Sequence, residues 1–282
     1  MSENLLVSVL MTAYNRAAYI AEAIESVLAS SYTNFELIVV DDVSSDKTVQ
    51  IAKEYAIRDK RIQIFTNEKN VGDYPNRNRA ASYAKGWLLM YVDSDDTITG
   101  DALGYVVEHF QQHESAGYST IYQKGDIKDP IVLSSNESIH KHFFNESFLN
   151  IGPGGTVIKR ELFQKIGGFP EKYGPANDMY YNIKVACNTN VLLLPYLYLN
   201  YRRHGGQEIN NRFSYLSNGF KYLTDIMKLP ELPLSEKEKQ MILKEGARSS
   251  VYALFVYIKN TRKIAKAYHA YKESGVRLKQ LL

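Results

Sequence analysis

A single cysteine, Cys187, is present among the 282 residues. An internal disulfide and a metal site built only from cysteines are both excluded, because each needs at least two thiols. Cys187 lies in a stretch with helical spacing, where a small buried side chain is commoner than a reactive thiol. The composition fits a protein of a reducing compartment.

Long apolar runs and an excess of one charge are also missing. No apolar stretch reaches the roughly 18 residues that a membrane-spanning helix needs, and the first residues lack the basic segment of a signal peptide. Lysine and arginine total 34 against 31 aspartate and glutamate residues, and basic runs with interleaved aromatics are absent from most of the chain. The sequence therefore predicts a cytoplasmic protein that does not bind nucleic acid.

Two phosphate-binding motifs are absent as well. No G-x-G-x-x-G follows the first predicted strand, and no G-x-x-x-x-G-K-[ST] occurs anywhere. These loops hold the phosphates of dinucleotides and of ATP at a helix N-terminus. Their absence disfavours a dinucleotide cofactor and an ATP-type P-loop.

What the sequence does contain is a regular alternation of strand and helix patterns. Leu5–Met11 is a near-continuous apolar run, typical of a strand buried on both faces of a parallel sheet, and Ala17–Ser30 then carries apolar residues at helical spacing. The alternation continues with strands at Phe35–Val40, Arg61–Thr66 and Trp87–Val92 and helices at Thr48–Ile57, Tyr74–Lys85 and Asp101–Gln112. This order predicts an α/β fold with a mostly parallel sheet flanked by helices.

The pattern changes in the second half. After about Phe213 it becomes helical and rich in tyrosine, with a break at Leu229–Pro233 and a helix N-cap predicted at Ser235. We therefore predict two domains, a nucleotide-binding catalytic domain over residues 1–212 and a helical C-terminal extension over residues 213–282.

Polar residues cluster where three predicted strands end. In an open α/β sheet this edge forms the ligand crevice. The clusters are Thr12-Ala13-Tyr14-Asn15, Asp41-Asp42-Val43-Ser44-Ser45-Asp46 and Asp93-Ser94-Asp95-Asp96. Carboxylates crowded on one short loop repel each other unless a cation joins them, and Mg²⁺ or Mn²⁺ takes such oxygen ligands together with phosphate oxygens. The last cluster therefore indicates a metal-bound diphosphate, although a surface turn of backbone-bonded aspartates is the competing interpretation.

Taken in order, these stretches resemble the family-2 glycosyltransferases with the GT-A fold, over about residues 5–205. The matching motifs are Val7–Asn15, Phe35–Asp42 with Ser44, Asp46 and Thr48, Asn70-Val71-Gly72, Arg77-Asn78, Ala84-Lys85-Gly86, Asp93–Asp96, Gly154–Arg160, Ile166–Phe169, Asn177-Asp178 and Tyr201–His204. The resemblance implies a Rossmann-like GT-A sheet and an inverting sugar transfer. The expected donor is a nucleotide-diphosphate sugar, most commonly a UDP-sugar, and the expected acceptor is a glycan or a lipid-linked molecule of cell-surface polysaccharide synthesis.

The resemblance also implies roles for individual residues. Thr12, Tyr14, Asp42 and Arg77 would hold the base and ribose, and Asp93 would contact the ribose region. Asp95 or Asp96 would bind Mn²⁺ or Mg²⁺, with His204 as a third ligand. Gly154, Gly155, Asn177 and Arg202 would contact donor or acceptor, and Asp178 would be the general base that deprotonates the acceptor hydroxyl.

Structural interpretations compete with three of these roles. Gly154 and Gly155 could form an ordinary turn after Pro153, His204 could be an ordinary histidine of a strand-like stretch, and Asp178 could cap the following helix. Capping and catalysis are compatible, because a cap lies at a helix N-terminus that can face the site.

The chain departs from the family pattern at three places. It has Thr12 or Ala13 where proline is usual, Ala80 where glycine is frequent, and Asn177 where a glutamate commonly precedes the catalytic aspartate. No carboxylate that the chemistry needs is lost. The change at Asn177 leaves the type of acceptor open.

Two other functions remain open from the residues alone. A sugar nucleotidyltransferase would need a glycine-rich basic loop after the first strand, and Asn15-Arg16-Ala17-Ala18 has no such glycines. A non-catalytic nucleotide-sugar-binding module is the second, since fold alone does not prove turnover, and the joint presence of Asp42, Asp93, Asp95, Asp96 and Asp178 argues against it.

The end of the chain is basic. After Ile258 there are seven lysine and arginine residues (Lys259, Arg262, Lys263, Lys266, Lys272, Arg277 and Lys279) and one acid, Glu273, which gives a net charge of +6. Beside Tyr252, Leu254, Phe255 and Tyr257, this segment predicts peripheral contact with the inner face of the membrane. A solvated helix face is the alternative.

Overall fold

The computed structural model describes residues 5–123, 127–205 and 212–277. It divides into two compact units. The first unit comprises the described residues of Met1–Ser134, Ile151–Phe169 and Thr189–Arg202, and the second those of Ser135–Asn150, Pro170–Asn188 and Arg203–Leu282. The two units thus interleave along the chain, whereas the sequence predicted one boundary between residues 212 and 213.

All strands of the described residues lie in the first unit. In chain order they are β1 Val7–Ala13, β2 Phe35–Asp41, β3 Ile62–Thr66, β4 Leu88–Tyr91, β5 Thr97–Ile98, β6 Ala116–Ile121, β7 Ile131–Leu133, β8 Thr156–Lys159, β9 Asn190–Leu194 and β10 Leu199–Asn200. Eight of them form one sheet in the order β3-β2-β1-β4-β8-β6-β9-β7, and β10 pairs with β5. The pairings β1–β2, β2–β3, β1–β4 and β6–β9 are parallel.

The helices belong to both units. They are α1 Ile20–Leu28, α2 Thr48–Arg58, α3 Asp73–Tyr83, α4 Ala102–Gln112 and α6 Arg160–Ile166 in the first unit, and α5 Ser135–His140, α7 Asn177–Asn188, α8 Arg212–Ile226, α9 Glu236–Thr261 and α10 Ile264–Ser274 in the second. The predicted alternation of strands and helices through residue 112 is confirmed, with small shifts of the bounds. The predicted α/β class with a mostly parallel central sheet is confirmed too.

The sheet carries the core of the first unit. The apolar run of β1 is buried on both faces, as predicted for a strand between parallel neighbours. Helix α1 buries Ile20, Ala23, Ile24 and Val27, whose spacing places them on one helix face. Strand β1 runs two residues further than predicted, because Thr12 and Ala13 stay paired with β2. Tyr14 and Asp42 therefore follow directly on two neighbouring strands.

The second unit is helical. Ser235 caps α9, as predicted: its hydroxyl accepts from the Glu238 amide at 3.3 Å, and the Glu238 carboxylate accepts from the Ser235 amide at 2.7 Å. Among the described residues, no helix combines the length and the apolar character needed to cross a bilayer.

The prediction that Tyr252, Leu254, Phe255 and Tyr257 together face a membrane is wrong in part. Leu254 is buried in a small core with Ala267 and Ala270, and Tyr257 packs beside the ring of Phe213. Leu254 is buried and Tyr257 half-buried because helix periodicity turns these two side chains toward α8 and α10. Tyr252 and Phe255 are exposed, as the membrane hypothesis requires. Lys279 lies outside the described residues.

Candidate active site

The loops after β1 and β2 bind each other at the carboxyl edge of the sheet. The Asn15 amide donates to the Ser44 hydroxyl at 2.8 Å, and the Ser45 amide donates to the Asn15 side-chain oxygen at 2.8 Å. Asn15 and the β-branched Val43 both have positive φ, 53° and 66°. For a residue such as Val43 this backbone is strained, and strained backbone of this kind clusters at ligand sites.

An exposed aromatic ring lies beside these loops. Tyr14 is 49% exposed, directly after β1, and Val43 is 41% exposed, directly after Asp42. Large exposed apolar side chains at the ligand edge of an α/β sheet suit stacking against a nucleotide base. Thr12 lies within β1, where its carbonyl accepts from the Ser94 hydroxyl at 2.7 Å and so ties this strand to the acidic loop.

Asp42 has a structural task that the sequence did not reveal. The residue is 3% exposed, and its carboxylate accepts from the Val71 and Gly72 amides, each at 2.9 Å, and from the Asn67 side chain at 2.7 Å. Gly72 has φ of 88°, which suits glycine. Asp42 therefore holds the loop before α3 in place, and its contact with base or ribose remains a prediction.

Arg77 is buried between carboxylates. Its guanidinium lies 2.6 Å from Asp93 and 2.9 Å from Asp73, and it sits over the ring of Tyr91. Arg77 therefore fixes the position of Asp93, and its predicted contact with the nucleotide remains a prediction.

The three aspartates after β4 converge. One oxygen from each of Asp93, Asp95 and Asp96 lies within 4.8 Å of the others. Two ligands on opposite sides of Mg²⁺ are about 4.2 Å apart at a bond length of roughly 2.1 Å, so this separation fits a shared cation after a small adjustment. The donors are all carboxylate oxygens, which hard divalent cations prefer. The cluster therefore fits Mg²⁺ or Mn²⁺.

Asp96 is the most buried member of the cluster, at 2% exposure. Burial raises the pKa of its carboxyl to about 7, with the neighbouring Asp93 and Asp95 adding to the rise and the hydrogen bond from the Arg202 amide opposing it. That amide donates to Asp96 at 2.9 Å. A cation that joined the cluster would favour the ionised carboxylate.

Arg16 belongs to this site, although the sequence interpretation missed it. Its Nε donates to Asp95 at 2.9 Å, and its Nη1 donates to the Tyr14 carbonyl at 3.0 Å. The signal available was position, since Arg16 follows the first strand at the same sheet edge as the acidic loop. A guanidinium beside a diphosphate site can pair with phosphate oxygens.

The side chain of Arg202 points to α1. It pairs with Glu22 at 2.6 Å and lies over the ring of Tyr19, at 5.1 Å from the centroid. Its backbone amide is the group that donates to Asp96 of the acidic cluster. The predicted contact of Arg202 with donor or acceptor stays a prediction.

Gly154 and Gly155 form a buried 3₁₀ turn after Gly152, so the structural interpretation of these two residues has direct support. A Cβ on Gly155 would lie 2.3 Å from the Ile151 side chain, and one on Gly154 would lie 3.2 Å from Leu199. Close packing thus requires small residues here, and contact with a sugar remains a prediction.

The remaining predicted residues lie in the second unit. Helix α7 begins at Asn177, whose side chain accepts from the Tyr173 amide at 2.9 Å. Asp178 therefore lies inside the first turn rather than before a helix that begins at Met179, and its carboxylate accepts from the Met179 amide at 2.7 Å. His204 is half-buried and lies in irregular chain after β10 rather than in a strand. Its role as metal ligand stays a prediction.

Comparison with solved structures defines the class of the fold. S. aureus TarS in complex with UDP-GlcNAc superposes with a TM-score of 0.75 at 21% sequence identity, covering 98% of this chain and 83% of TarS. A mannosyltransferase from Pyrobaculum calidifontis in complex with GDP-Man and Mn²⁺ gives a TM-score of 0.65 at 18% identity, covering 94% of this chain and 78% of that one. These likenesses confirm the predicted GT-A fold.

Sequence comparison then shows the family. Residues 8–167, more than half of the chain, match the model of glycosyl transferase family 2, and the protein belongs to that family. It is therefore a glycosyltransferase, which removes the sugar nucleotidyltransferase and the non-catalytic binding module as alternatives.

Two relatives illustrate the range of the family. WfgD of Escherichia coli, named a UDP-Glc:alpha-D-GlcNAc-diphosphoundecaprenol beta-1,3-glucosyltransferase, is 27% identical over 230 residues, covering 81% of this chain and 89% of WfgD. TuaG of Bacillus subtilis (strain 168), a glycosyltransferase named for teichuronic acid biosynthesis, is 36% identical over 131 residues, covering 45% of this chain. The match spans 52%, about half, of the length of TuaG.

Proposed function

We propose that the protein transfers a hexosyl or N-acetylhexosaminyl group, with inversion, from a UDP-sugar to an acceptor hydroxyl in the synthesis of a cell-surface polysaccharide. The observation that carries this proposal is the convergence of Asp93, Asp95 and Asp96 beside the loops of β1 and β2. The names of TuaG, WfgD and TarS support the polysaccharide, the lipid-linked or glycan acceptor and the UDP-sugar donor.

The nucleotide would bind across the ends of β1 and β2. Tyr14 offers an exposed ring to the base, and Thr12, Asp42, Arg77 and Asp93 provide or organise the polar contacts to base and ribose. Asp42 and Arg77 act largely by fixing backbone and carboxylates that face the ligand, since their own polar atoms are mostly engaged.

The diphosphate would bind at the acidic cluster. Asp95 and Asp96 would hold Mn²⁺ or Mg²⁺ with His204 as a further ligand, and the bound cation would offset the charge of the leaving nucleoside diphosphate. Arg16, already 2.9 Å from Asp95, is placed to pair with phosphate oxygens. Gly154, Gly155, Asn177 and Arg202 remain the proposed neighbours of the donor sugar and the acceptor.

Asp178 is the proposed general base. Asp178→Asn keeps the size of the side chain and an oxygen that can accept from the Met179 amide, so the melting temperature should stay close to that of the parent. Loss of a general base typically lowers the rate by roughly 10²–10⁴-fold. If the purified variant melts like the parent, binds donor, and transfers sugar at more than about a tenth of the parental rate, Asp178 is not the base.

The donor is identified by a direct screen. Nucleotide sugars are tested for thermal stabilisation with and without Mn²⁺, because a ligand that binds only the folded state raises the apparent melting temperature. We expect UDP-sugars to stabilise the protein and the best of them to be hydrolysed or transferred. Stabilisation by GDP- or dTDP-sugars alone would overturn the uridine assignment, and turnover without any nucleotide sugar would overturn the proposal.

A further inference from the structure

Helix α9 presents one long face that is mostly exposed. Ile242, Ala247 and Leu254 are its buried residues, Leu254 packs with Ala267 and Ala270 of α10, and α9 also contacts α8. The opposite face follows a spacing of three or four residues, which keeps its members in line along a helix. The members of this face, hereafter the basic face of α9, are Lys237, Met241, Lys244, Arg248, Tyr252, Phe255 and Lys259; Lys244 is half-buried and the other six are exposed.

The composition of this face is unusual for a solvated surface. Tyr252 and Phe255 are 69% and 63% exposed, and Met241 is 49% exposed. Single exposed apolar residues need no explanation, but here three lie on one line with four basic side chains. Two acids, Glu238 and Glu245, border this line. From Lys237 to Lys259 the face extends about 33 Å, at roughly 1.5 Å per residue.

The neighbouring helix, α10, also exposes apolar side chains next to a basic one. Ile264 and Tyr268 of α10 are 67% and 59% exposed, and the Lys272 ammonium lies 4.9 Å from the centroid of the Tyr268 ring. Exposed aromatic and aliphatic side chains interleaved with lysine and arginine match the interface of an anionic bilayer, where rings enter the headgroup region and basic groups meet lipid phosphates.

We propose that the basic face of α9 docks on an anionic phospholipid surface. Charge complementarity selects this occupant, because a second copy of the chain would bring four basic side chains against four others. The surface would serve the proposed transferase by bringing it to a lipid-linked acceptor. Vesicle binding is measured without donor or acceptor, so its failure would leave the proposed transfer reaction intact.

The test uses the full chain and vesicles of phosphatidylcholine with or without about one third phosphatidylglycerol. The face variant Lys237→Gln/Arg248→Gln/Lys259→Gln removes three basic groups. The control variant Lys53→Gln/Lys60→Gln/Lys69→Gln removes the same charge from exposed positions in the first unit. Each basic group near an anionic surface contributes about fivefold to affinity, so the face variant should bind about 100-fold more weakly and the control nearly as the parent.

A second variant tests the apolar contribution. Tyr252→Ser/Phe255→Ser changes side chains that are already exposed, so folding should be unaffected while vesicle affinity falls about tenfold or more. Equal binding to vesicles with and without phosphatidylglycerol would overturn the proposal, as would equal losses in the face and control variants. Analytical ultracentrifugation tests the alternative that a second copy of the chain binds this face. If the parent is an oligomer, the double variant is a monomer, and vesicle binding is unchanged, the face is assigned to a second copy.

Discussion

Substitution of Asp42 distinguishes most clearly between a residue that stabilises the fold and a residue that binds the ligand. Asp42→Asn replaces one carboxylate oxygen with an NH₂ group, which cannot accept a hydrogen bond. Three donors now share the carboxylate: the amides of Val71 and Gly72 and the side chain of Asn67. At 3% exposure, water cannot readily replace the lost acceptor.

The expected loss in the free energy of unfolding follows from these contacts. An unsatisfied buried N–H costs roughly 1–3 kcal/mol, and hydrogen bonds to a charged group contribute roughly 1.5–3 kcal/mol each. We therefore expect Asp42→Asn to lower the free energy of unfolding by about 2–4 kcal/mol, or the melting temperature by roughly 10 °C for a chain of this size. Nucleotide affinity should fall with it, because the Val71–Gly72 loop loses its anchor.

The assay is urea unfolding in the absence of nucleotide, followed by calorimetric titration with UDP. Glu68→Gln is the matched control, since this exposed carboxylate lies just after Asn67 and its loss should change stability by less than about 0.5 kcal/mol. If Asp42→Asn unfolds like the parent yet no longer binds UDP, the carboxylate acts on the ligand and the anchoring role is refuted.

Two further predictions concern stability. Burial lowers the pKa of His142 to about 4, so the unfolded chain takes up a proton first as pH falls below about 6.5, and stability is lost between those values. Between pH 7.5 and pH 5 the parent should lose about 2 kcal/mol more stability than His142→Gln, because Asp96, with its pKa raised to about 7, contributes in the opposite direction in both proteins. An equal pH dependence in both would contradict this origin. Gly86→Ala should be severely destabilising, because a Cβ there would lie 2.5 Å from the Ser8 amide nitrogen and 2.8 Å from the Leu6 carbonyl oxygen. Normal expression and melting of Gly86→Ala would contradict the close approach of these strands.

The first half of the fold could be predicted because its signals are local. Apolar runs and helical spacing each lie within one element, and the structure shifts the bounds by only a few residues. The second half depends on pairing between distant strands. Strand β8 enters antiparallel between β4 and β6, and nothing within its four residues indicates that position.

In the candidate site, too, some features could be predicted from the sequence and others could not. Asp93, Asp95 and Asp96 stand together in the sequence, so their crowding was visible. Arg16 was missed because its partner Asp95 lies 79 positions along the chain. The anchoring task of Asp42 was hidden for another reason: two of its partners are backbone amides, which leave no signature in the residue types.

The central claim is that the three aspartates hold the cation that binds the donor diphosphate. Its most direct test is calorimetric titration of UDP, or of the nucleoside diphosphate that the donor screen selects, in Mn²⁺ and in EDTA, for the parent, Asp95→Asn/Asp96→Asn, and the control Asp101→Asn. We expect the parent and the control to bind more tightly in Mn²⁺ by at least about tenfold, and the double variant to lose that difference, because its remaining carboxylate cannot hold the ion alone. Equal nucleotide affinity in Mn²⁺ and EDTA for the parent, or an unchanged Mn²⁺ effect in the double variant, would contradict the claim.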